Sequence, residues 1–471
     1  MGATRKLAEY LVGIDWDELP PQVQRRAKLA VLDSLGVSLG GYAVPEYSEK
    51  FIDLAKAVGG GVGEATIIGD GTKVSAPFAS FANTALATAL DYCDHAGTKT
   101  GIAFCWFGAL AVPAALGAVE VSGGDGKEFL SAVVAGYECS GRILRSIDMT
   151  AERERELKGE TISVFSAAAA AARGHRFDAD RMLSTLGMAG IEVPVSSGYK
   201  WLMDAGLRPR KDYKQGWAWM SLAGAFAATA ASHGLRALQE NNILDGDRGL
   251  WRMLGMDVTY PEELLRDLGV DYVLPHVETK RYPGCSITHT GLIGAMEIVR
   301  ANGLSRDDIA RIEVTTNKRS GMEEDDQAPA TAQDMQFSVP YQVGAALSGY
   351  PRGPQWYTLA RERALGVASR TFLLFDEECG EFWEKNRRQM SKIKLITRDG
   401  ITYTTRVEDE KRLNTTDEIE AKFMETAVQV IGEQAARNLK QTVMTLDEAP
   451  DLTTLLEQLH VASPAPAATA R

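Results

Sequence analysis

Apolar residues recur along the first half of the chain at the spacing of helical faces. One such segment opens at Pro20-Pro21 and ends at Gly40-Gly41. Proline suits a helix start, because the N–H that it lacks would have no partner there. The apolar positions of this segment lie on one face and are Val23, Ala27, Ala30, Val31 and Leu35. The same spacing predicts helices over residues 76–90, 107–121, 127–144, 164–173, 179–190 and 217–233.

The pattern changes near Tyr272. Residues 312–316, 393–396 and 402–405 alternate like half-buried strands, the last two around an Asp399-Gly400 turn. Helical spacing returns at 290–301, 341–347, 416–431 and 435–443. We therefore predict a mainly α fold: a discontinuous all-helical domain over residues 1–268 and 407–471, and a smaller α+β lid domain over 269–406. The low-complexity tail, 462–471, is expected to be disordered.

Composition and charge exclude several classes of protein. Hydrophobic residues make up 45% of the 471 residues and charged residues 24%, as in ordinary globular proteins. The net charge of -12 disfavours nucleic-acid binding and requires a local cationic pocket for any anionic substrate. No apolar run approaches the roughly 18 residues of a membrane span, and the N-terminus has no signal-peptide core. We expect a cytoplasmic protein that binds neither membrane nor nucleic acid.

Cofactor sites are also missing from the sequence pattern. The five cysteines are scattered, with no Cys-x-x-Cys pair, which argues against a zinc or iron–sulfur site. The glycine-rich run at residues 59–63 follows no predicted strand and fails the dinucleotide fingerprint. We expect an activity that needs no cofactor and no metal.

Six segments, in order along the chain, resemble the MmgE/PrpD family. They are residues 32–37, residues 81–83 leading to 89–92, residues 135–138 with Arg142, residues 243–249, residues 280–283 through His289, and residues 336–341. The resemblance implies an all-helical domain, an α/β lid and a homodimer. It also implies removal of a proton next to a carboxylate of a small polycarboxylate, such as 2-methylcitrate, cis-aconitate or iminodisuccinate.

The chain departs from the family pattern where substrate-binding groups are expected. The usual Leu-Asp-Phe-Asp-Asp-Thr run is here Leu90-Asp91-Tyr92-Cys93-Asp94-His95, so that a histidine replaces the threonine. The His-Pro that normally follows is missing, and a later His-Pro-Thr stretch is replaced near residues 157–159. Beside Lys280, a position that holds Cys or His in relatives is Cys285. The substrate therefore cannot be carried over from a relative.

Carbanion chemistry needs cations, because the enediolate formed by proton removal carries more negative charge than the substrate. Two basic runs offer them, residues 208–214 and Lys280-Arg281-Tyr282. A charge run alone usually marks a solvated face. By resemblance, however, Lys211 matches the family's pocket lysine, with Arg210 beside it, and Lys280 and Arg281 match a basic pair near the lid hinge. We predict that these four residues bind substrate carboxylates.

Asp91 and Asp94 lie three residues apart, where crowding or burial could raise a carboxyl pKa toward the range of a working base. The alternative is a structural cap or salt bridge. Asp91 matches the family's pocket aspartate and is predicted to be catalytic, whereas Asp94 is assigned to substrate binding with a structural alternative. His95 is the other candidate base, since its ordinary pKa lies near neutrality.

The remaining candidates are Cys285, which is predicted to bind substrate, and Tyr341, which matches a family tyrosine and is predicted to hold a carboxylate. Core packing is the alternative for Tyr341, and His289 is equally well read as a structural residue at a helix start. The favoured function is a lyase that hydrates or dehydrates a di- or tricarboxylate. Decarboxylation, epimerisation, or a non-catalytic dimer or biosynthetic cyclase are the alternatives.

Overall fold

A computed structural model describes residues 2–61, 63–97, 104–148, 159–193, 216–237, 243–245, 249–253, 255, 258–318 and 325–461. Arg210, Lys211 and the 462–471 tail lie outside these described residues. The predictions made for them stay predictions.

Helices dominate the chain up to residue 253. They are α1 (Ala3–Val12), α2 (Pro21–Tyr42), α3 (Pro45–Gly59), α4 (Ala76–Thr88), α5 (Gly108–Ser122), α6 (Gly126–Arg145), α7 (Val164–Gly174), α8 (Ala179–Ile191), α9 (Trp217–Ser232) and the single turn α10 (Leu250–Met253). Short antiparallel pairs join some of them: β1 (Ala65–Thr66) with β2 (Lys73–Val74), β3 (Ala96–Gly97) with β4 (Phe104–Cys105), and β5 (Ile147–Asp148) with β6 (Val258–Thr259).

The alanine-rich helix α7 lies at the centre of this layer and packs against α5, α6 and α9. Small side chains allow the close approach. A Cβ at Gly136 of α6 would lie 2.8 Å from the carbonyl oxygen of Ser166, and one at Gly224 of α9 would lie 2.5 Å from that of Val164. The helical core is therefore fixed by backbone-to-backbone contact as well as by apolar burial.

The second half of the chain begins with α11 (His289–Ala301) and contains the one sheet of four strands in the described structure. Its strand order is β10-β9-β7-β8. Strand β8 runs parallel to β7, and the other neighbours are antiparallel. The elements are β7 (Ile309–Thr316), α12 (Ala332–Phe337), α13 (Val339–Ala346), α14 (Arg361–Ala368), β8 (Thr371–Phe375), α15 (Glu377–Asn386), β9 (Ser391–Thr397) and β10 (Thr402–Val407).

The chain returns to the helical layer after β10 through α16 (Thr416–Ile431), α17 (Glu433–Met444) and α18 (Thr453–Gln458). Helix α16 packs along α2, the second helix of the chain. In the sequence, the sheet and the helix α11 beside it thus come between two stretches that belong to one helical layer. The predicted fold class, mainly α with a smaller α+β part, is confirmed.

No single described helix is long and apolar enough to cross a membrane. Helices α2 and α3 pass a test of length and composition only as a pair, and they are bent by 101° to each other. Most of the second half of α2 is buried in the protein core.

Candidate functional site

The site is built around the loop that follows α4. This helix is buried along its whole length and ends at Thr88. Asp91 then adopts a positive φ of 49°, a conformation that non-glycine residues rarely take. Such backbone strain is concentrated at functional sites, where the surroundings hold it in place. The loop places Asp91, Asp94 and His95 within five residues of one another, all at most 4% exposed.

Asp91 forms a buried ion pair with Lys280. The Lys280 Nζ lies 2.7 Å from Oδ1 of Asp91, and it also donates to the carbonyl oxygens of Asp91, at 3.0 Å, and Gly284, at 3.3 Å. Burial acts to lower the pKa of Lys280, but the Asp91 carboxylate and two nearby thiols outweigh it, and the pKa is raised. An ammonium group has three N–H donors, so all three are already engaged. Lys280 is close to the site but has no donor left for a substrate.

His95 and His289 lie beside this ion pair. Burial and the neighbouring cations Arg412 and Lys280 hold the pKa of both imidazoles well below the usual value. Both rings are therefore neutral near pH 7, the form in which an imidazole can accept a proton. The backbone of His95 pairs with that of Glu278 in both directions, and the His95 Nε2 lies 3.8 Å from a carboxylate oxygen of the same residue. This pairing fixes the ring at the edge of a cleft.

The cleft has a volume of about 590 Å³ and opens between the helical layer and the sheet. Its described lining includes His95 and the C-terminal end of α6 from the helical layer, the end of α15 from the sheet side, and the returning segment after β10. Five cationic side chains line it against three acidic ones. The five are Arg145, Arg387, Arg388, Lys411 and Arg412. In a chain of net charge -12, this local excess of positive charge favours an anionic ligand.

Arg412 is the cation that lowers the pKa of both histidines most. Its Nη2 pairs with Glu410, and its Nε lies 3.5 Å from Glu278. The Nη1 is buried and has no hydrogen-bond partner among the residues that the structure describes. A guanidinium group binds carboxylates through such paired donors. Arg412 can therefore hold one carboxylate of a ligand next to His95.

Asp94 serves the fold. Its Oδ1 accepts from the backbone N–H of Gly108 at the start of α5, at 2.9 Å, and its Oδ2 accepts from the hydroxyl of Tyr137. A carboxylate at a helix N-terminus is stabilised by the helix dipole. Burial nevertheless raises the pKa of Asp94 to about 6. Both oxygens are engaged, which favours the structural alternative over the predicted contact with substrate.

Three other predicted residues lie outside the described lining of the cleft. The Arg281 guanidinium donates to the carbonyl of Lys411 and to Glu418, both at 2.5 Å. The Tyr341 hydroxyl is fully buried and donates to the carbonyl of Trp356 at 2.7 Å, as a packed core tyrosine does. Cys285 is partly buried, and its backbone N–H donates to Gln336.

Of the predicted residues that the structure describes, His95 alone lines the cleft. Asp91, Lys280 and Cys285 lie in its neighbourhood, and Arg210 and Lys211 fall outside the described residues. Arg412 and Glu410 were missed. The charged run at residues 408–412 could have indicated them, since it lies directly where the chain leaves the predicted lid. Ligands commonly bind between domains, so charged residues at a domain boundary are candidates for a binding site. Among the described residues, no three His, Cys, Asp or Glu side chains are grouped so as to hold a metal ion.

Two domains of one known family match successive stretches of the chain. The MmgE/PrpD N-terminal domain matches residues 5–262, and the MmgE/PrpD C-terminal domain matches residues 282–448. The chain is also similar to the cis-aconitate decarboxylase of Aspergillus terreus (strain NIH 2624 / FGSC A1156), with 22% identity over 488 residues, covering 98% of this chain and 96% of the relative. These matches support a lyase-type role. The two domain matches together cover most of the sequence, and the chain belongs to the MmgE/PrpD family.

Proposed function

We propose that the protein is a lyase that acts on a small di- or tricarboxylate by proton transfer at a carbon next to a carboxylate. The observation that carries the proposal is that a neutral histidine, His95, and a buried guanidinium donor, Arg412 Nη1, meet at one cationic cleft. One supplies a base and the other binds the carboxylate whose charge grows during the reaction.

In this mechanism His95 accepts the proton from the carbon, and the electron pair moves into the adjacent carboxylate to form an enediolate. Arg412 hydrogen-bonds that carboxylate and stabilises the negative charge that grows on it. In a dehydration, the electron pair then returns to form the carbon–carbon double bond, and the hydroxyl group on the neighbouring carbon takes the proton from protonated His95 and leaves as water. The reverse sequence hydrates the alkene.

Binding of the substrate itself tunes the base. Burial and two cations lower the pKa of His95. A polycarboxylate brings negative charge next to the imidazole and partly neutralises Arg412, and both changes raise the pKa toward working pH. The base thus gains strength where it meets the substrate.

Hydration or dehydration is the reaction that we favour. Decarboxylation is the second candidate, and the similarity to a cis-aconitate decarboxylase supports it. There, loss of CO₂ leaves a carbanion that must take up a proton, so His95 would serve in its protonated form as the donor, and the same cations would hold the carboxylates. Epimerisation of an imino diacid would use the same proton removal without a leaving group.

Incubation in D₂O with citrate-type hydroxy acids, with cis-aconitate and with amino or imino diacids separates these reactions. A hydro-lyase interconverts hydroxy acid and alkene and places one deuteron on carbon. A decarboxylase releases CO₂ and leaves one solvent deuteron in the product. An epimerase replaces one carbon-bound hydrogen of its substrate with deuterium and causes no other change in the mass of the substrate. No exchange and no product with any of them would leave the non-catalytic or cyclase alternative.

We also propose that the activity needs no metal or nucleotide and that the protein is a homodimer. Full activity after exhaustive chelation is the expected result, and restoration of lost activity by iron or magnesium would contradict the first point. Sedimentation equilibrium should give twice the mass of the chain. A mass equal to one chain at micromolar concentration would contradict the second.

A further inference from the structure

The backbone of the loop that carries Asp91 and His95 is held at four successive carbonyl oxygens, residues 89–92. Each is bound by a donor from a different part of the chain. Gln336 holds Ala89 at 2.6 Å, Gly284 holds Leu90 at 3.0 Å, Lys280 holds Asp91 at 3.0 Å, and Lys422 holds Tyr92 at 2.6 Å. The first three donors come from residues 280–336, whereas Lys422 comes from the returning helix α16.

Lys422 is an ammonium group inside the protein, 1% exposed. Its Nζ lies 2.7 Å from Oδ1 of Asp33 on α2 and 3.9 Å from the centre of the Tyr92 ring. Burial lowers the pKa of Lys422, and the Asp33 carboxylate opposes that shift. Asp33 belongs to the segment 32–37, one of those that resemble the family and that the mechanism above does not use.

A buried ion pair of this kind adds little net stability, because removing two charges from water offsets most of their attraction. It does fix geometry, since a charge in the interior has few alternative positions. Here the fixed position is the carbonyl of Tyr92, one residue after the strained Asp91 and three before His95. The pair therefore acts on the loop that aims the base.

We propose that Lys422, held by Asp33, is a positioning residue that keeps the loop from Ala89 to His95 in its reactive conformation. This inference rests on the proposed function, because the loop is reactive only if His95 or Asp91 transfers the proton. Lys422 itself lies outside the described lining of the cleft and touches no substrate.

The test compares Lys422→Met with Lys28→Met. Lys28 lies on α2 and forms the same kinds of contact with residues that are not part of the loop: Asp447 at 2.5 Å, the carbonyl of Met444 at 2.9 Å, and the Trp16 ring at 5.8 Å. Misplacement of a catalytic group by about 1 Å can reduce the rate about 100-fold. We expect kcat of Lys422→Met to fall about 10- to 100-fold with KM nearly unchanged, and Lys28→Met to keep its kcat. An equal loss in both variants would overturn the proposal, as would an unchanged kcat in Lys422→Met.

The double variant Asp33→Asn/Lys422→Met separates positioning from stability. It leaves no lone buried charge, so its melting temperature should return close to that of the wild type even if Lys422→Met folds poorly. Positioning predicts that kcat stays low in the double variant. Recovery of kcat together with stability would show a merely structural role and overturn the proposal.

A readout that needs no turnover distinguishes failure of this inference from failure of the proposed function. The NMR signal of the His95 ring, identified by its loss in His95→Gln, reports how the loop is held. We expect its titration to move toward the ordinary histidine value in the double variant and not in Lys28→Met. If the wild type converts none of the acids tested, the proposed function fails while this shift still stands. An unshifted His95 signal in the double variant would overturn the positioning role whatever the activity.

Discussion

At the scale of single residues, His95 combines burial with a position beside the cleft, two properties that a sequence cannot show together. It is buried, which keeps its imidazole neutral, and it borders a cleft that an anion can enter. A histidine exposed to water would be partly charged near neutrality and would lose part of its function as a base. A histidine in the core would never meet a substrate. The loop after α4 satisfies both conditions.

Replacement of His95 tests the base directly. His95→Gln keeps a hydrogen-bonding side chain that cannot take up a proton near neutrality, so kcat should fall about 10²- to 10⁴-fold while substrate binding survives. The acid limb of the pH–rate profile should change as well. His233→Gln, at the exposed end of α9, is the control and should remain active. If His95→Gln stays active and Asp91→Asn is dead, the aspartate is the base.

Asp94 makes a different prediction, about stability and pH. Burial raises its pKa from 3.8 to about 6, so the folded protein binds a proton there that the unfolded chain has released. Stability from this group is therefore present below the unfolded pKa and is lost as the pH rises from about 4 to 6. Asp94→Asn removes this ionisation. The melting temperature of the variant relative to the wild type should be higher at about pH 7.5 than at about pH 4.5, and the difference should correspond to roughly 2 kcal/mol of unfolding free energy. An equal difference at the two pH values would show that Asp94 does not titrate in this range.

Sequence could predict the type of these residues but not their contacts. Asp91, Lys280 and His95 were found through the family pattern, and the structure brings them together. The same pattern could not show that Lys280 has no donor left or that Asp94 caps α5, because both depend on partners such as Gly284 and Tyr137 from other segments. Tyr341 shows the limit most plainly, since only the carbonyl of Trp356 reveals what its hydroxyl does.

At the scale of elements, the contact between helices α2 and α4 determines where the reactive loop begins. A Cβ at Gly41 of α2 would lie 2.0 Å from the carbonyl oxygen of Leu86 on α4. No side-chain rotation can relieve a clash between a Cβ and a backbone atom. One helix must move, and α4 would carry its loop along.

Gly41→Ala should therefore destabilise the protein by about 3 kcal/mol or more, at the upper end of overpacking effects. The control is Gly366→Ala in α14, where a Cβ would meet no atom within 4 Å. That variant should be slightly more stable, since alanine is the better helix former by up to about 1 kcal/mol. Differential scanning calorimetry of both variants checks the pair. Similar melting temperatures for the two would show that α2 and α4 can separate without loss.

Elements with a clear apolar period could be predicted to within a few residues. Residues 416–431 coincide with α16, and residues 76–90 exceed α4 by two. The strand β8 was missed because a run of five residues gives too little period to distinguish strand from helix. Helix α3 was missed although Pro45 and the spacing of Phe51, Ile52 and Ala55 marked it.

At the scale of the whole molecule, the cleft depends on how the chain folds back on itself. His95 comes from the first quarter of the sequence, the end of α15 from the sheet side and Arg412 from the returning segment. The sequence indicated two domains, but no pattern in one segment could show which charges of another segment face it. Arg412 and Arg388 could be recognised only after these segments were placed together.

The excess of cations around the cleft leads to a prediction for substrate capture. Arg388 is exposed on the cleft at the end of α15 and has no ion-pair partner in the part of the chain that the structure describes. Its charge is therefore available to attract a polycarboxylate before the substrate reaches Arg412. An exposed charge acts on the encounter more than on the chemical step.

Arg388→Gln should raise KM about 3- to 10-fold with little change in kcat. The difference from the wild type should shrink as salt is added, because screening weakens exposed charges. Lys385→Gln is the matched control: it removes the same charge three residues earlier, from an exposed position in the last turn of α15 outside the described cleft lining. If Lys385→Gln raises KM equally, overall charge rather than the cleft guides the substrate. If Arg388→Gln lowers kcat and leaves KM unchanged, Arg388 acts on the transition state, and the reacting carbon lies closer to α15 than to His95.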